Sequence, residues 1–590
     1  MSVLDTPRIY FRGEITWDPI VTNNYSQLYD IATSKPVLGN GTVADYRELA
    51  RTTIPGGNWN VHGTHRSTLF ETTVTGVDVG NGTDRTDPLV GAGVSFAGKL
   101  VDLNPYLSSS SQLFYDDFSC GIQGGSQILG KGAGPMVARR INFARNSGYR
   151  VIAGVASVIW QASIPTEQLT CDPHGSPAVT RLRDLIAGDG FAGLTIRMNA
   201  YRTVYYNSES DDPAQVQKLA ADIAGGGFHP NPARGLVVGV VGPWRHGEPP
   251  SVPGDRVLNQ VAGSKVATAF ARTGDGRVVI DLSNSVQETS FKVDKDDLGP
   301  LELVAKQAGG DVQLGTLEYA DYNKDAYEAT SGIVTLQLTD AQQAAAETAD
   351  LILRRTNGAV LLREQALTAA ADVPNLYLEQ GEQATVSLTV RLRGRPPGGP
   401  VSVMLAEIGG PLPAVQVTTD DTGRASVPIN GGTPGSWIWV LLPWQGQPPT
   451  APAALNPGLF EYLTLRTTPA DDDIAALEPT WDNVHANVLR YWEALAPCMD
   501  NWLRLGDEQQ CAAYARIVKR LTSRDRFDRY GYMPVTRELT RGQRTLLHRW
   551  CDTVGGAAHD KAPAAAGRHL DLAADVSPVE AARDVFGRGF

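Results

Sequence analysis

Apolar and polar positions change period along the chain, and the change divides it. From the start to about residue 380, short apolar runs alternate with turn residues. Phe191 to Tyr206 is apolar with a two-residue alternation, and Leu236 to Val241 is a continuous apolar run of the kind a buried strand shows. Val266 to Arg272 and Arg277 to Leu282 flank Gly274-Asp275-Gly276, a hairpin signal. Helices in this part are expected to be short, one of them opening at Asp212 with Pro213 in its first turn. The pattern predicts a sandwich or barrel rather than alternating βαβ units.

Residues 381 to 470 carry strands at close spacing: Thr385 to Leu392, Val401 to Leu405, Val415 to Thr419, Arg424 to Ile429 and Gly435 to Leu442, with a turn at Asp420-Asp421-Thr422-Gly423. The spacing fits an immunoglobulin-like sandwich. From 471 to 555 the period becomes helical. Trp481, Val484, Val488, Trp492 and Leu495 fall three and four apart, Asp507 can cap a second helix, and Thr540 with Gln543 forms a capping box for a third. Residues 556 to 590, rich in Ala, Gly and Pro, read as a flexible tail. The expected fold is mainly β, a barrel-like or sandwich body over 1 to 380 (with room for two subdomains) plus the second sandwich, followed by a small all-α domain.

Composition narrows the function. The chain has 590 residues and a formal net charge of −12, which argues against nucleic-acid or anionic-membrane binding, since phosphate contacts need clustered Lys and Arg. The most apolar stretch, Val151 to Trp160, is too short to span a bilayer. The opening residues show no basic segment followed by an apolar one, so no secretory signal is expected. Five widely spaced cysteines without a CxxC predict reduced thiols and a cytoplasmic setting.

No complete catalytic or metal motif is present. Gly125 to Lys131 matches the start of a phosphate loop, but Gly132 stands where Ser or Thr is required, so a glycine-rich loop is expected. His62 and His65 could offer imidazoles to a metal only from a turn and with a distant third ligand. Asp482 and His485, one helical turn apart, lack the further Glu residues of a di-iron set and read as surface or packing. Two clusters at strand ends suggest a small-molecule pocket: Arg12, Asp18 and Asn24 near a Gly13 bend, and Trp244, Arg245, His246 and Glu248 after the Leu236 to Val241 run. Arg12 or Arg245 could hold a carboxylate; the plainer alternative is that Arg12 pairs with Asp18 and that the second cluster is a polar loop with an internal ion pair.

Five stretches occur in a recognisable order: Pro7 to Gly13, Val238 to Arg245, Asn375 to Glu379, Cys511 to Arg516, and Tyr532 to Leu539. Together they resemble the N-terminal half of the family of the violacein biosynthesis protein VioB and the chromopyrrolic acid synthases RebD and StaD. The resemblance runs over roughly residues 3 to 550. It implies natural-product biosynthesis, with oxidative coupling of two indole-3-pyruvate imine molecules as the family reaction. It implies haem as an associated cofactor, for which His62, His65, His246 and Cys120 are the candidate ligands here, although His246 stands where the family pattern is expected to have Arg. The second half of those proteins resembles a ferritin-like iminophenyl-pyruvate dimer synthase domain, and this chain ends where that domain would begin. The expected function is therefore a biosynthetic protein acting on an aromatic or amino-acid-derived intermediate; the alternative is a non-catalytic scaffold that docks a separate ferritin-like or oxidase partner.

Overall fold

The computed structural model describes residues 2–17, 23–53, 64–142, 153–154, 157–204, 214, 233–288, 294–410 and 412–557. The expected helix at Asp212, His62, Asp18 and the tail from 558 onward lie outside them. The fold is mainly β, as expected from the patterning.

The strand Arg8–Trp17 lies between Arg66–Asp78 on one side and Ala233–Arg245 on the other, all antiparallel. The pairing continues through Phe191–Val204, Ser157–Pro165 and Met136–Asn142 in one direction, and through Val94–Asp102 and Ser111–Gly121 in the other. Gln112 and Leu113 then pair with Val137 and Met136, so these eight strands close into a barrel. A barrel of eight strands has an interior just wide enough for side chains to fill. Ile9, Phe11, Ile15, Met198, Trp160 and Leu113 fill it, and the helix Pro177–Ile186 contributes Val179 and Leu182 to the same core. Gly239 is required beneath Phe11, because a Cβ there would collide with the ring. Residues Gln127–Lys131 form a strand paired to Ser111–Gly121, so all but the first two residues of the Gly125 to Lys131 stretch lie in a sheet rather than in a phosphate loop.

A second antiparallel sheet of eight strands packs on the barrel's outer face. Tyr10, Ile159 and Val240 of the barrel meet Val257, Phe270 and Ile333 there. Its hairpin Ala269–Gly274 to Arg277–Asp281 turns at Asp275 and Gly276, both at positive φ (52° and 70°), the backbone that a two-residue turn of this hand demands.

Strands from Leu367 to Thr468 form a sandwich of three and five strands around Val386, Leu388, Val403, Trp439 and Leu465. Asn375–Glu379 runs parallel to Tyr462–Thr468 in the five-stranded sheet. Leu378 and Leu465 point into the core, so Asn375, Tyr377, Glu379, Thr464 and Arg466 point away from it, by the two-residue alternation of a strand.

The helical segment behaves as its period requires. Asp507 accepts from Gln510 N at 3.0 Å, and Thr540 and Gln543 cap each other reciprocally. Its core also takes Leu28, Tyr29, Tyr46 and Ala50 from the excursion between the first two barrel strands, including the helix Val43–Thr53. Among the described residues, no helix is long and apolar enough to cross a membrane.

Candidate functional site

The clusters proposed from the sequence are separated in space. Arg12 lies on the outer face of the barrel, more than half exposed, and donates to Glu328 at 2.5 Å. Arg245 donates to Asp5 from Nε at 3.0 Å and from Nη2 at 2.9 Å, and stacks over Phe191. Trp244 Nε1 donates to the Glu248 carbonyl, and His246 is exposed. Both guanidinium groups that the sequence puts forward are thus engaged by carboxylates of the chain itself. Asn24 goes elsewhere, to a hydrogen bond with Asp102.

That bond leads to a different site, at the junction of barrel wall, sandwich and C-terminal segment. The barrel strand Ser111–Gly121 turns Gln112 and Phe114 outward. The outer face of the sandwich brings Asn375, Tyr377, Thr464 and Arg466 against it: Asn375 Nδ2 donates to the Ser110 carbonyl at 3.3 Å, and Tyr377 Oη donates to Gln112 Oε1 at 3.4 Å. Below this point Arg140 Nη2 donates to Glu461 Oε1 at 2.8 Å, both buried, which fixes the two bodies together.

The C-terminal segment from Phe527 to Leu539 closes the junction. Arg537, fully buried, lies 3.6 Å above the Phe114 ring and donates to the carbonyls of Phe527, Arg529 and Val535. It therefore holds the loop in shape around itself. Glu538 follows it and comes within 4.0 Å of Arg466 Nη2. Arg466 Nη2 also donates to Ser34 Oγ at 2.8 Å and Tyr29 Oη at 3.2 Å, both from the N-terminal excursion. The Phe527 ring contacts Tyr377 and Tyr532 edge-on and tilted, at 4.9 and 5.1 Å. Two of the five stretches that carry the family resemblance, Asn375 to Glu379 and Tyr532 to Leu539, meet at this place.

Burial sets the electrostatics. It raises the carboxyl pKa of Glu538, against the pull of Arg466 and of hydrogen bonds from Tyr29, Thr536 and Asn23. It pushes Asp102 up to about 6, although Ser111 and Asn24 hydrogen-bond to it. It lowers Arg537 to about 10. Tyr377 senses Arg537, Glu538, Arg466 and Asp102 together, so these charges share one neighbourhood. Titratable groups displaced in opposite directions within a small volume mark functional sites more often than chance. Asp102 can exchange a proton near neutral pH, and Arg466 can hold an anion.

The haem that the family resemblance implies finds no fitting ligand at Cys120 or His65. Cys120 is packed in the barrel core with Val94, Phe118 and Ile128, and burial pushes its thiol up to about 12, the opposite of a metal-bound thiolate. His65 is buried with Nδ1 hydrogen-bonded to the Leu100 carbonyl at 2.9 Å; burial first, then Lys99 and Arg537, lower it to about 4. The positive charges of Lys99 and Arg537 act on it as well, and its Nδ1 is already taken by a backbone carbonyl. Among the described residues, no three His, Cys, Asp or Glu side chains come together as a metal set.

No family model matches the chain. It is similar to 2-imino-3-(indol-3-yl)propanoate dimerase of Chromobacterium violaceum, 25% identical over 96% of this chain and 59% of that protein. It is also similar to dichlorochromopyrrolate synthase of Lentzea aerocolonigenes, 23% identical over 93% of this chain and 56% of that protein. The chain thus spans less than two thirds of the length of the curated relatives it matches. The resemblance read from the five motifs is borne out by both, at low identity. Among solved structures, a Salmonella α2-macroglobulin aligns at 9% identity over 78% of this chain and 31% of that one with a TM-score of 0.17, which assigns no fold.

Proposed function

We propose that this protein acts in natural-product biosynthesis on an aromatic, amino-acid-derived intermediate, in an oxidative coupling step. The observation that carries the reading is coverage. Both curated relatives are named for acting on, or making, products of this kind, and each aligns with more than nine tenths of the chain. That the Tyr532 to Leu539 and Asn375 to Glu379 stretches, two of those that carry the family resemblance, meet at one buried junction supports the reading. In this reading the junction, with Asp102 and Arg466, receives the intermediate. The test is to generate 2-imino-3-(indol-3-yl)propanoate in place from tryptophan with an amino-acid oxidase, and to follow its products by mass spectrometry with and without the full chain. The expected result is a change in the ratio of dimeric to monomeric products. Identical product profiles, together with no binding of the corresponding 2-oxo acid, would overturn the reading.

A further inference from the structure

Arg466 is fully buried, and its guanidinium is only half used. Nη2 meets Tyr29 and Ser34, but neither Nε nor Nη1 has an acceptor among the described residues. A guanidinium carries one N–H on Nε and two on Nη1, so three donors of a cation stand open. Its nearest carboxylate, on Glu538, is 4.0 Å away and is itself biased toward the neutral form. Burying a charge in this state is expensive unless a counter-charge completes it.

The unmet donors extend beyond Arg466. Thr464, two positions earlier on the same outward face, has no partner at Oγ1 among the described residues, and Gln112, whose Oε1 accepts from Tyr377, the residue opposite Arg466 in the ladder, has none at Nε2. All three residues are at least 99% buried. Two acceptors at the junction, Asn375 Oδ1 and Glu538 Oε2, are also without a partner among the described residues, but the open N–H groups of Arg466 and Gln112 outnumber them. That surplus of donors, centred on a cation, calls for an anion with several acceptor lone pairs rather than for a single neutral water. The place is also close to solvent. Tyr106, 36% exposed, senses the charges of both Arg466 and Glu538, and its hydroxyl donates to the Tyr29 carbonyl.

We propose that this junction is a carboxylate-binding site, in which Arg466 takes the ligand's carboxylate on Nη1 and Nε while Gln112 and Thr464 donate to the same group. The assignment of the head group stands apart from the proposed function; only an aromatic body on the ligand rests on that reading.

The test uses the full chain, with acetate, benzoate and indole-3-pyruvate as probes and chloride as the inorganic control, read by thermal shift and by titration calorimetry. At least one carboxylate is expected to raise Tm with dose and to bind saturably, and chloride is not. Arg466→Gln should abolish binding. Thr464→Val is the variant that keeps the test sound if Arg466→Gln fails to fold. It removes a hydroxyl that has no partner among the described residues, so ligand-free Tm should hold or rise, while affinity should fall about 3- to 10-fold for one lost hydrogen bond. Binding of acetate or benzoate without indole-3-pyruvate supports the site and counts against the proposed function. The proposal is overturned if no carboxylate binds, if chloride reproduces the effect, or if Thr464→Val and every folded Arg466 variant bind as the parent does.

Discussion

Arg466 Nη2 and Glu538 Oε1 face each other across 4.0 Å in a fully buried setting, one from the sandwich and the other from the C-terminal segment. Removing one member of a fully charged buried pair costs about 3–5 kcal/mol, an upper bound here because burial biases Glu538 toward its neutral form. Glu538→Ala should therefore destabilise by up to that amount in urea titrations, and Glu538→Gln by clearly less, because the amide still offers an oxygen to the guanidinium. Equal losses for both would mean that the full negative charge, and not an oxygen placed beside the guanidinium, makes the contact.

Asp102 gives a pH dependence with a defined sign. Its carboxyl rises from 3.8 to about 6 on folding because burial favours the protonated form. Its stabilising share is fully present below the unfolded value and is lost as pH climbs through about 6. Between pH 4 and 7 the parent should lose up to about 3 kcal/mol relative to Asp102→Asn, whose amide does not titrate. Parallel stability curves for the two proteins would show that Asp102 is solvated in the folded state.

His65 should remain neutral through physiological pH. Its pKa is lowered to about 4 by burial and by the neighbouring Lys99 and Arg537. Its imidazole resonances, assigned through His65→Gln, should stay constant from pH 8 to 5. A midpoint above 6 would place the ring in water and reopen it as a ligand.

Gly239 and Phe11 test the barrel interior. A methyl at 239 meets the Phe11 ring, so Gly239→Ala should destabilise by about 1–3 kcal/mol through overpacking. Adding Phe11→Leu should recover part of the loss in thermal melts. A double variant that simply sums the two losses would show that the ring can move aside.

The β character, the hairpin at Asp275-Gly276 and the caps at Asp507 and Thr540 were all legible, because each rests on contacts within a few residues of sequence. The junction was not. Asn375, Tyr377 and Glu379 alternate with leucines, a pattern that normally faces water; here the polar side is covered by Gln112 and the C-terminal segment. Arg466 sits in a strand with every residue buried, where local sequence marks no face as special. The helix Val43–Thr53 joins the helical core through Tyr46 and Ala50, a pairing between chain ends that no local period announces. Local sequence marks Asn24 only as a polar residue near a bend, and its connection to Asp102 depends on that same long-range closure.

The most direct measurement is a crystal structure of the full chain grown with indole-3-pyruvate. The account predicts carboxylate density against Arg466 Nη1 within hydrogen-bonding distance of Gln112 Nε2 or Thr464 Oγ1. Ordered water alone filling those positions, with the ligand bound elsewhere or absent, would contradict it.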